Sequence, residues 1–212
     1  MGKILMSSNI TSSFLNWNNK DAEVYGELDA LIHRIEPIKI KSFVPKPQSV
    51  DYKREYIPRY FIAKNWNPDF LVEVSVDTYN GDFTQLNKGA YNRTQIDWYI
   101  SGNINNYIMN GAHKEGVLDK NTREINKAKK ILPGMVLLKQ NLLQFYKSDN
   151  LYTNGGEYAL VPGGPSYIGL YHITPGIGPM VGPYHTGVAH PTLYPLDGSN
   201  PNIIGNSMGG TI

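Results

Sequence analysis

The sequence predicts an α+β protein, mainly β, in which a small β-rich core with two short helices precedes a long, extended, Gly/Pro-rich β module. Three stretches between residues 51 and 102 have strand character, and one of them alternates apolar and polar residues, as half-buried strands do. Residues 151–212 contain 13 of the 21 glycines and 8 of the 14 prolines. This segment is poor in helix formers, and its six tyrosines make it too aromatic for a disordered tail.

Changes in composition divide the chain into three parts. Residues 1–50 are predicted to form an N-terminal arm, an amphipathic helix and a Pro-rich linker. The helix is predicted over residues 21–35, because one apolar stripe recurs there at helical spacing: Val24, Leu28, Leu31, Ile32 and Ile35. Residues 51–150 are predicted to form a β-rich core domain with a helix, and residues 151–212 the Gly/Pro/Tyr-rich extended C-terminal module.

The strands of the core are predicted over residues 57–64, 70–77 and 95–101. The second strand is expected to bury one face, made of Phe70, Val72, Val74 and Val76. Its other face is expected to be solvated and consists of Leu71, Glu73, Ser75 and Asp77. The turn-forming residues Asn67-Pro68-Asp69 separate the first two strands, so this pair is predicted to form a hairpin.

One helix is predicted in the core, over residues 119–132. Asp119 or Asn121 is expected to cap its N-terminus, and Pro133-Gly134 ends it. Its thin apolar stripe contains Ile125, Ala128, Ile131 and Leu132. Residues 135–146 are apolar enough for a buried segment, but their periodicity leaves helix and strand open.

Composition also limits the partners of the chain. The absence of cysteine excludes disulfides, thiol catalysis and cysteine-ligated metals. The formal net charge is only +2 and the basic residues form no clustered face, so no specific nucleic acid is predicted. No apolar run approaches the roughly 18 to 20 residues that span a bilayer, so no membrane partner is predicted.

The C-terminal module contains a predicted hairpin and three histidines. Pro162-Gly163-Gly164-Pro165 separates the strand-like residues 157–161 and 167–173, which predicts the hairpin. His172, His185 and His190 lie within 19 residues of one another. Three imidazoles from extended segments have the chemistry to converge on a metal ion. The simpler interpretation is that they hydrogen-bond backbone carbonyls, and metal is left out of the prediction.

Carboxylates are the other candidates for chemistry. Glu73 with Asp77, or Asp97 with a distant partner, would supply the acid and base of a glycosidase. The simpler interpretation is again structural, because Glu73 and Asp77 share the expected solvated face. No P-loop, no dinucleotide-binding glycine motif and no nucleophile elbow is present. The sequence therefore predicts no catalytic residue and no cofactor, and the protein is predicted not to be an enzyme.

Two stretches resemble virion structural proteins of tailed bacteriophages, in particular contractile-tailed myophages of aquatic bacteria, including cyanophages. The first is residues 51–64 with the following segments 70–74 and 96–102. The second, residues 151–157 with 167–173 and 178–186, resembles a recurring C-terminal module whose pattern is roughly T-x-G-G-E-[YF], a glycine turn, and Y-x-G-x-Y-H-I-H-P. Thr174 stands where that pattern has its second histidine, which weakens any transfer of a His-x-His metal motif.

The resemblance implies a structural component of a phage virion, in the tail, baseplate or neck, made in the host cytoplasm and assembled in multiple copies through extended arms. Its expected partners are other virion proteins and copies of itself. Two alternatives stay open. One is a metal-organised fibre-tip or receptor-binding module that uses His172, His185 and His190. The other is a virion-associated cell-wall hydrolase that uses carboxylates such as Glu73 or Asp97.

Overall fold

The structure is a computed structural model that describes residues 42–65, 67–81 and 91–198, without the side chains of Pro68 and Asp69. The predicted arm and the predicted helix over 21–35 lie outside the described residues. The described residues belong to one compact unit. Helices and mostly antiparallel strands are mixed in it, so the predicted α+β, mainly β class is confirmed.

Three antiparallel strands form the main sheet: β1 (Tyr56–Lys64), β2 (Asn67–Val74) and β3 (Tyr91–Tyr99), in the order β2-β1-β3. The predicted hairpin of the first two strands is confirmed. Its connection comes earlier than expected, because Lys64 pairs with Asn67 and the Asn67-Pro68-Asp69 segment already belongs to β2.

The prediction of which face of β2 is buried was confirmed at Val74, which is fully buried, but was wrong at Phe70 and Glu73. Phe70 is 60% exposed, whereas Leu71 packs against the core. Glu73 lies opposite Phe61 of β1, a core residue, and accepts hydrogen bonds from the buried Arg59. Period-two alternation separates the two faces of a strand but does not say which face meets the core, and here a buried cation on β1 requires the carboxylate on the inner side.

Residues 75–77, predicted as the end of that strand, instead begin a helix. Three α-helices are described: α1 (Ser49–Arg54), α2 (Val76–Asn80) and α3 (Val117–Ala128). Ser75 starts α2, because its Oγ accepts a hydrogen bond from the Thr78 amide. Residues 133–141, left open by their periodicity, form a 3-10 helix.

Helix α3 overlaps the predicted helix but begins at Val117, and its N-cap is Gly116, so neither Asp119 nor Asn121 caps it. Asn121 has another role. It is fully buried, its Oδ1 accepts the Tyr99 amide, and its Nδ2 donates to the carbonyls of Tyr99 and Leu142. The Asn121 side chain therefore links the edge of β3 to helix α3 by hydrogen bonds.

The core of the main sheet lies between its inner face, α3 and the 3-10 helix. Trp98 is its largest fully buried side chain, and its indole N–H donates to the Gln144 carbonyl. Ile125, Ala128 and Leu132 of the predicted stripe are buried, while Ile131 is exposed. The buried cluster contains Tyr52, Ile57, Phe61, Ala63, Ile96, Trp98, Ile100, Ile125, Ala128, Leu132 and Met135.

The C-terminal residues form a second sheet of β6 (Leu151–Thr153), β8 (Gly169–Thr174) and β9 (Gly178–Val181), in the order β6-β8-β9. The short strands β7 (Tyr158–Ala159) and β10 (Tyr194–Pro195) pair with each other. The two segments that flank the PGGP turn were predicted to pair as a hairpin, and this pairing was wrong. A single isolated bridge, between Ala159 and Ser166, joins them. A further hairpin, β4 (Tyr107–Met109) with β5 (Ala112–Lys114), precedes α3.

The second sheet has its own apolar cluster, formed by Leu151, Tyr158, Tyr171 and Leu193. It is joined to the rest of the chain by side-chain amides. Asn103 accepts the Tyr152 amide and donates to the Tyr152 carbonyl. The predicted boundary between residues 150 and 151 coincides with the change from one cluster to the other, but it stays a prediction.

Candidate functional site

The structure brings the three histidines of the C-terminal module together. The ring centroids of His172 and His190 lie 5.3 Å apart, those of His185 and His190 5.6 Å, and those of His172 and His185 5.8 Å. We call these three side chains the histidine cluster. The convergence considered from the sequence is thus present within a single chain.

The cluster forms because a loop folds back on β8. His172 lies on β8, opposite Met180 of β9. After β9 the chain makes the loop of residues 182–191, which carries His185 and His190 and which we call the His loop. The Val181 amide donates to the Pro191 carbonyl and so closes the base of this loop.

Two hydrogen bonds fasten the start of the His loop to the second sheet and to the segment before it. The Gly182 amide donates to the Leu170 carbonyl, and the Asn150 amide donates to the Pro183 carbonyl. Gly182 has a φ of 99°, a left-handed conformation that glycine adopts without the strain of a Cβ atom. The sequence Val181-Gly182-Pro183 therefore turns the chain sharply over His172.

His172 is fully buried and only one of its ring nitrogens is paired. Nδ1 lies 2.9 Å from the Gly182 carbonyl oxygen. A carbonyl oxygen only accepts, so Nδ1 carries the proton and the neutral ring keeps a lone pair on Nε2. Among the described residues, no partner meets this Nε2. The hydrogen bond to a backbone carbonyl matches the simpler interpretation made from the sequence.

His190 has the opposite arrangement. Its Nε2 accepts the Thr186 backbone amide at 3.1 Å and lies 2.8 Å from the Thr186 hydroxyl. A backbone N–H only donates, so Nε2 holds a lone pair while this hydrogen bond exists. The imidazole of His190 thus stabilises the inside of the His loop, whereas His172 holds the loop onto the sheet.

The electrostatics of the cluster oppose charge on His172. Burial lowers the pKa of His172, and the neighbouring His190 and His185 lower it further, while the Gly182 hydrogen bond and Asp149 raise it. Burial likewise raises the pKa of Asp149, opposed by His172, Lys147 and His185. A partly buried carboxyl and three imidazoles therefore interact at one end of the second sheet.

Within the described residues, no group of three or more His, Asp or Glu side chains is arranged to hold a metal ion. Part of the reason is visible at His190, whose Nε2 is already occupied by the Thr186 amide.

The carboxylates considered for catalysis are not brought into a comparable arrangement. Both oxygens of Glu73 accept hydrogen bonds from Arg59, at 2.8 and 2.7 Å, so the expectation that Glu73 is solvated was wrong. Asp77 is exposed in the first turn of α2, and Asp97 lies on β3 opposite Pro58. Glu73 is thus the counter-ion of a buried guanidinium and is not a free acid or base.

Sequence reasoning missed three residues of the histidine cluster's surroundings: Asp149, Thr186 and Gly182. Asp149 precedes His172 by 23 positions, and no spacing rule connects the two. Thr186 follows His185 directly, and a hydroxyl residue next to a histidine in a loop was the one signal that pointed to a local hydrogen bond.

Comparisons with models of known protein families, with curated proteins and with solved structures found no match to this chain. In the part of the chain that the structure describes, no helix has the length and apolar character needed to cross a membrane.

Proposed function

We propose that this chain is a structural component of a phage virion, in the tail, baseplate or neck, and that it assembles in multiple copies through its C-terminal module. The sequence resemblance supports the class of protein. One structural observation supports assembly. Large apolar side chains are exposed on the module, and the module has very few charged residues that would oppose contact with a partner.

Eight exposed large hydrophobic residues lie between residues 151 and 198: Leu160, Val161, Ile168, Leu170, Ile177, Val188, Tyr194 and Leu196. Val188 is 73% exposed. The whole segment 151–212 has two charged residues, Glu157 and Asp197. Protein interfaces are depleted in charged residues at their centres, and exposed apolar surface is typical of interaction sites.

The described part of the module is folded on its own chain. Its sheet β6-β8-β9 and its apolar cluster are complete without a second copy. We therefore expect neighbouring subunits to contact a folded face of the module, with copies of the same chain and other virion proteins as partners.

The two alternatives have less support. A metal-organised fibre tip or receptor-binding module is favoured by the convergence of the histidines, but no metal-holding arrangement is present among the described residues. A cell-wall hydrolase has no observation in its favour, because its candidate acid Glu73 is bound to Arg59.

The test of assembly is the mass of the purified chain in solution, measured by light scattering after gel filtration. The wild type is expected to be an oligomer. Val161→Asp and Ile168→Asp each place a charge at an exposed apolar position of the module and are expected to give monomers. Ile108→Asp is the matched control, because Ile108 is exposed on β4, outside the module, and it should leave the oligomer intact.

The location requires a second experiment. Mass spectrometry of purified particles of the encoding phage is expected to detect the chain in multiple copies per particle. A monomeric wild type contradicts assembly through the module, whereas an oligomer that is absent from particles contradicts only the virion assignment.

A further inference from the structure

The histidine cluster has a feature that assembly does not use, namely a fully buried imidazole nitrogen without a partner beneath an exposed loop. His172 is inaccessible to solvent, while His185 and Val188 of the His loop above it are exposed. Native proteins rarely leave a buried side-chain nitrogen unpaired, and such a group points to a functional constraint or an unobserved ligand.

We infer that the histidine cluster is a proton-operated latch, which holds the His loop on the second sheet while its imidazoles are neutral and releases the loop when they are protonated. The inference depends only on the cluster and the loop. It therefore holds or fails independently of the proposed virion function.

Protonation of His172 acts directly on the latch. The new proton goes to Nε2, because Nδ1 already donates to the Gly182 carbonyl. A charged N–H then lies in a fully buried position where no acceptor among the described residues meets it. Burial of an unpaired charge is strongly unfavourable, so the protonated ring favours states in which the His loop has moved away and water reaches it.

Protonation of His190 acts on the inside of the loop. Its Nε2 accepts the Thr186 amide, and a proton on Nε2 removes that acceptor. The Thr186 hydroxyl still accepts from the protonated ring, but the backbone amide loses its partner. Charge on His190 and His185 also lies within 6 Å of His172, measured between ring centroids, so each proton makes the next one more costly.

Other charged groups near the cluster act in both directions. Asp149 interacts with His172 and favours the protonated form of that ring. Lys147 favours the ionised form of Asp149. Lys53 lies over the ring of Tyr184, next to His185, and adds positive charge to this end of the loop. The lowered pKa of His172 shows that burial and the neighbouring imidazoles outweigh Asp149.

The lowered pKa of His172 determines the sign of the pH effect on the His loop. The pKa of His172 is lower in the folded state than the unperturbed value of 6.5. The open state therefore binds more protons, and closure of the latch is complete above pH 6.5 and weakens as the pH falls below it. Asp149 has the opposite sign, because its pKa is raised from 3.8. At about pH 7.5 the latch is closed, and between that pH and about pH 6.0 histidine side chains begin to bind protons.

Hydrogen exchange of the full-length chain, read by NMR and corrected for the intrinsic pH dependence of exchange, tests the latch. The informative amides are those of Gly182, Thr186 and Asn150, which all fasten the His loop. One linked proton changes an opening equilibrium by up to about tenfold per pH unit. We expect these amides to exchange about fivefold faster at pH 6.0 than at pH 7.5, with no change in the amides of β1 and β3.

Two variants remove the proton sites and keep the hydrogen bonds. His172→Asn places an amide donor near the position of Nδ1, and His190→Gln keeps an acceptor for the Thr186 amide. Each is expected to reduce the pH effect, and the double variant to abolish it. His113→Asn is the matched control, because His113 is exposed on β5, and it should behave as the wild type. Either variant suffices if the other does not fold.

Three results overturn the inference. The first is equal corrected exchange of the three amides at both pH values in the wild type. The second is a pH effect that persists in the double variant. The third is stabilisation of the loop by one equivalent of Zn²⁺ or Ni²⁺ at pH 7.5 that is lost in His172→Asn, because the cluster would then be a metal site.

Discussion

Arg59 and Glu73 form a bidentate ion pair between β1 and β2, on the inner face of the main sheet. The Nε and Nη2 atoms of Arg59 donate to the two oxygens of Glu73 at 2.8 and 2.7 Å. Arg59 is 2% exposed, and its guanidinium lies 4.8 Å from the Trp98 ring centroid. A cation in such a position is tolerated because a carboxylate and aromatic rings replace the water it has lost.

Glu73→Gln should strongly destabilise the fold, because the variant leaves the Arg59 charge buried without a counter-ion. We expect a loss of about 3 kcal/mol in the free energy of unfolding, measured by urea denaturation. Asp97→Asn, which changes a carboxylate on β3, is the control and should cost little. Equal stability of the Glu73→Gln variant and the wild type would show that the ion pair is not formed.

Gly116→Ala should also destabilise the protein, for a steric reason. A Cβ atom at this position would lie 2.4 Å from the Ile104 carbonyl oxygen, which is backbone and has no rotamer to move to. We expect a cost of about 2 kcal/mol, measured by thermal or urea denaturation. Gly187→Ala is the control, since nothing lies within 4 Å of its Cβ. If both variants lose the same stability, close packing of Gly116 is not the cause.

Ionisation of the Tyr146 hydroxyl should contribute to the loss of folding stability at high pH. Burial raises its pKa to about 12, and its hydroxyl donates to the Gly102 carbonyl. The unfolded chain loses this proton near pH 10, so the stability linked to Tyr146 is present below pH 10 and is lost as the pH rises towards 12. Tyr146→Phe is expected to cost about 1 kcal/mol at pH 7 and to make stability fall less steeply above pH 10.

The measurement is urea denaturation at a series of pH values from 7 to 11. Tyr194→Phe is a suitable control, because Tyr194 is partly exposed. An alkaline slope that is unchanged in Tyr146→Phe would contradict the assigned burial of this hydroxyl.

The existence of the strands and of helix α3 followed from local patterns. Alternation in residues 70–74 and the spacing of Ile125, Ala128 and Leu132 both reflect geometry within a single element. The residues at which the elements begin and end were less predictable. Ser75 starts a helix where the pattern continued a strand, and Gly116 caps α3 because the chain at residues 104–105 leaves no space for a side chain.

Strand partners in the C-terminal module were not encoded locally. The PGGP turn has the composition of a hairpin, yet β8 pairs with β6 and β9, and β7 pairs with β10. A turn specifies where the chain reverses, whereas pairing depends on which distant segment supplies the complementary apolar face. Here one apolar cluster joins Leu151 of β6, Tyr158 of β7, Tyr171 of β8 and Leu193, which directly precedes β10, and Val181 of β9 packs against it.

The sequence by itself determined the α+β class, the strand-rich core, the Gly/Pro-rich module and the set of three histidines that is close enough along the chain to converge. These properties depend on composition and on periodicity within about ten residues. Only the tertiary structure decided that Glu73 faces inward to Arg59, that Asp149 joins the histidines, and that Nε2 of His172 is buried without a partner among the described residues. The reason is physical: burial and charge pairing are set by contacts between residues far apart in the chain, and no local pattern carries that information.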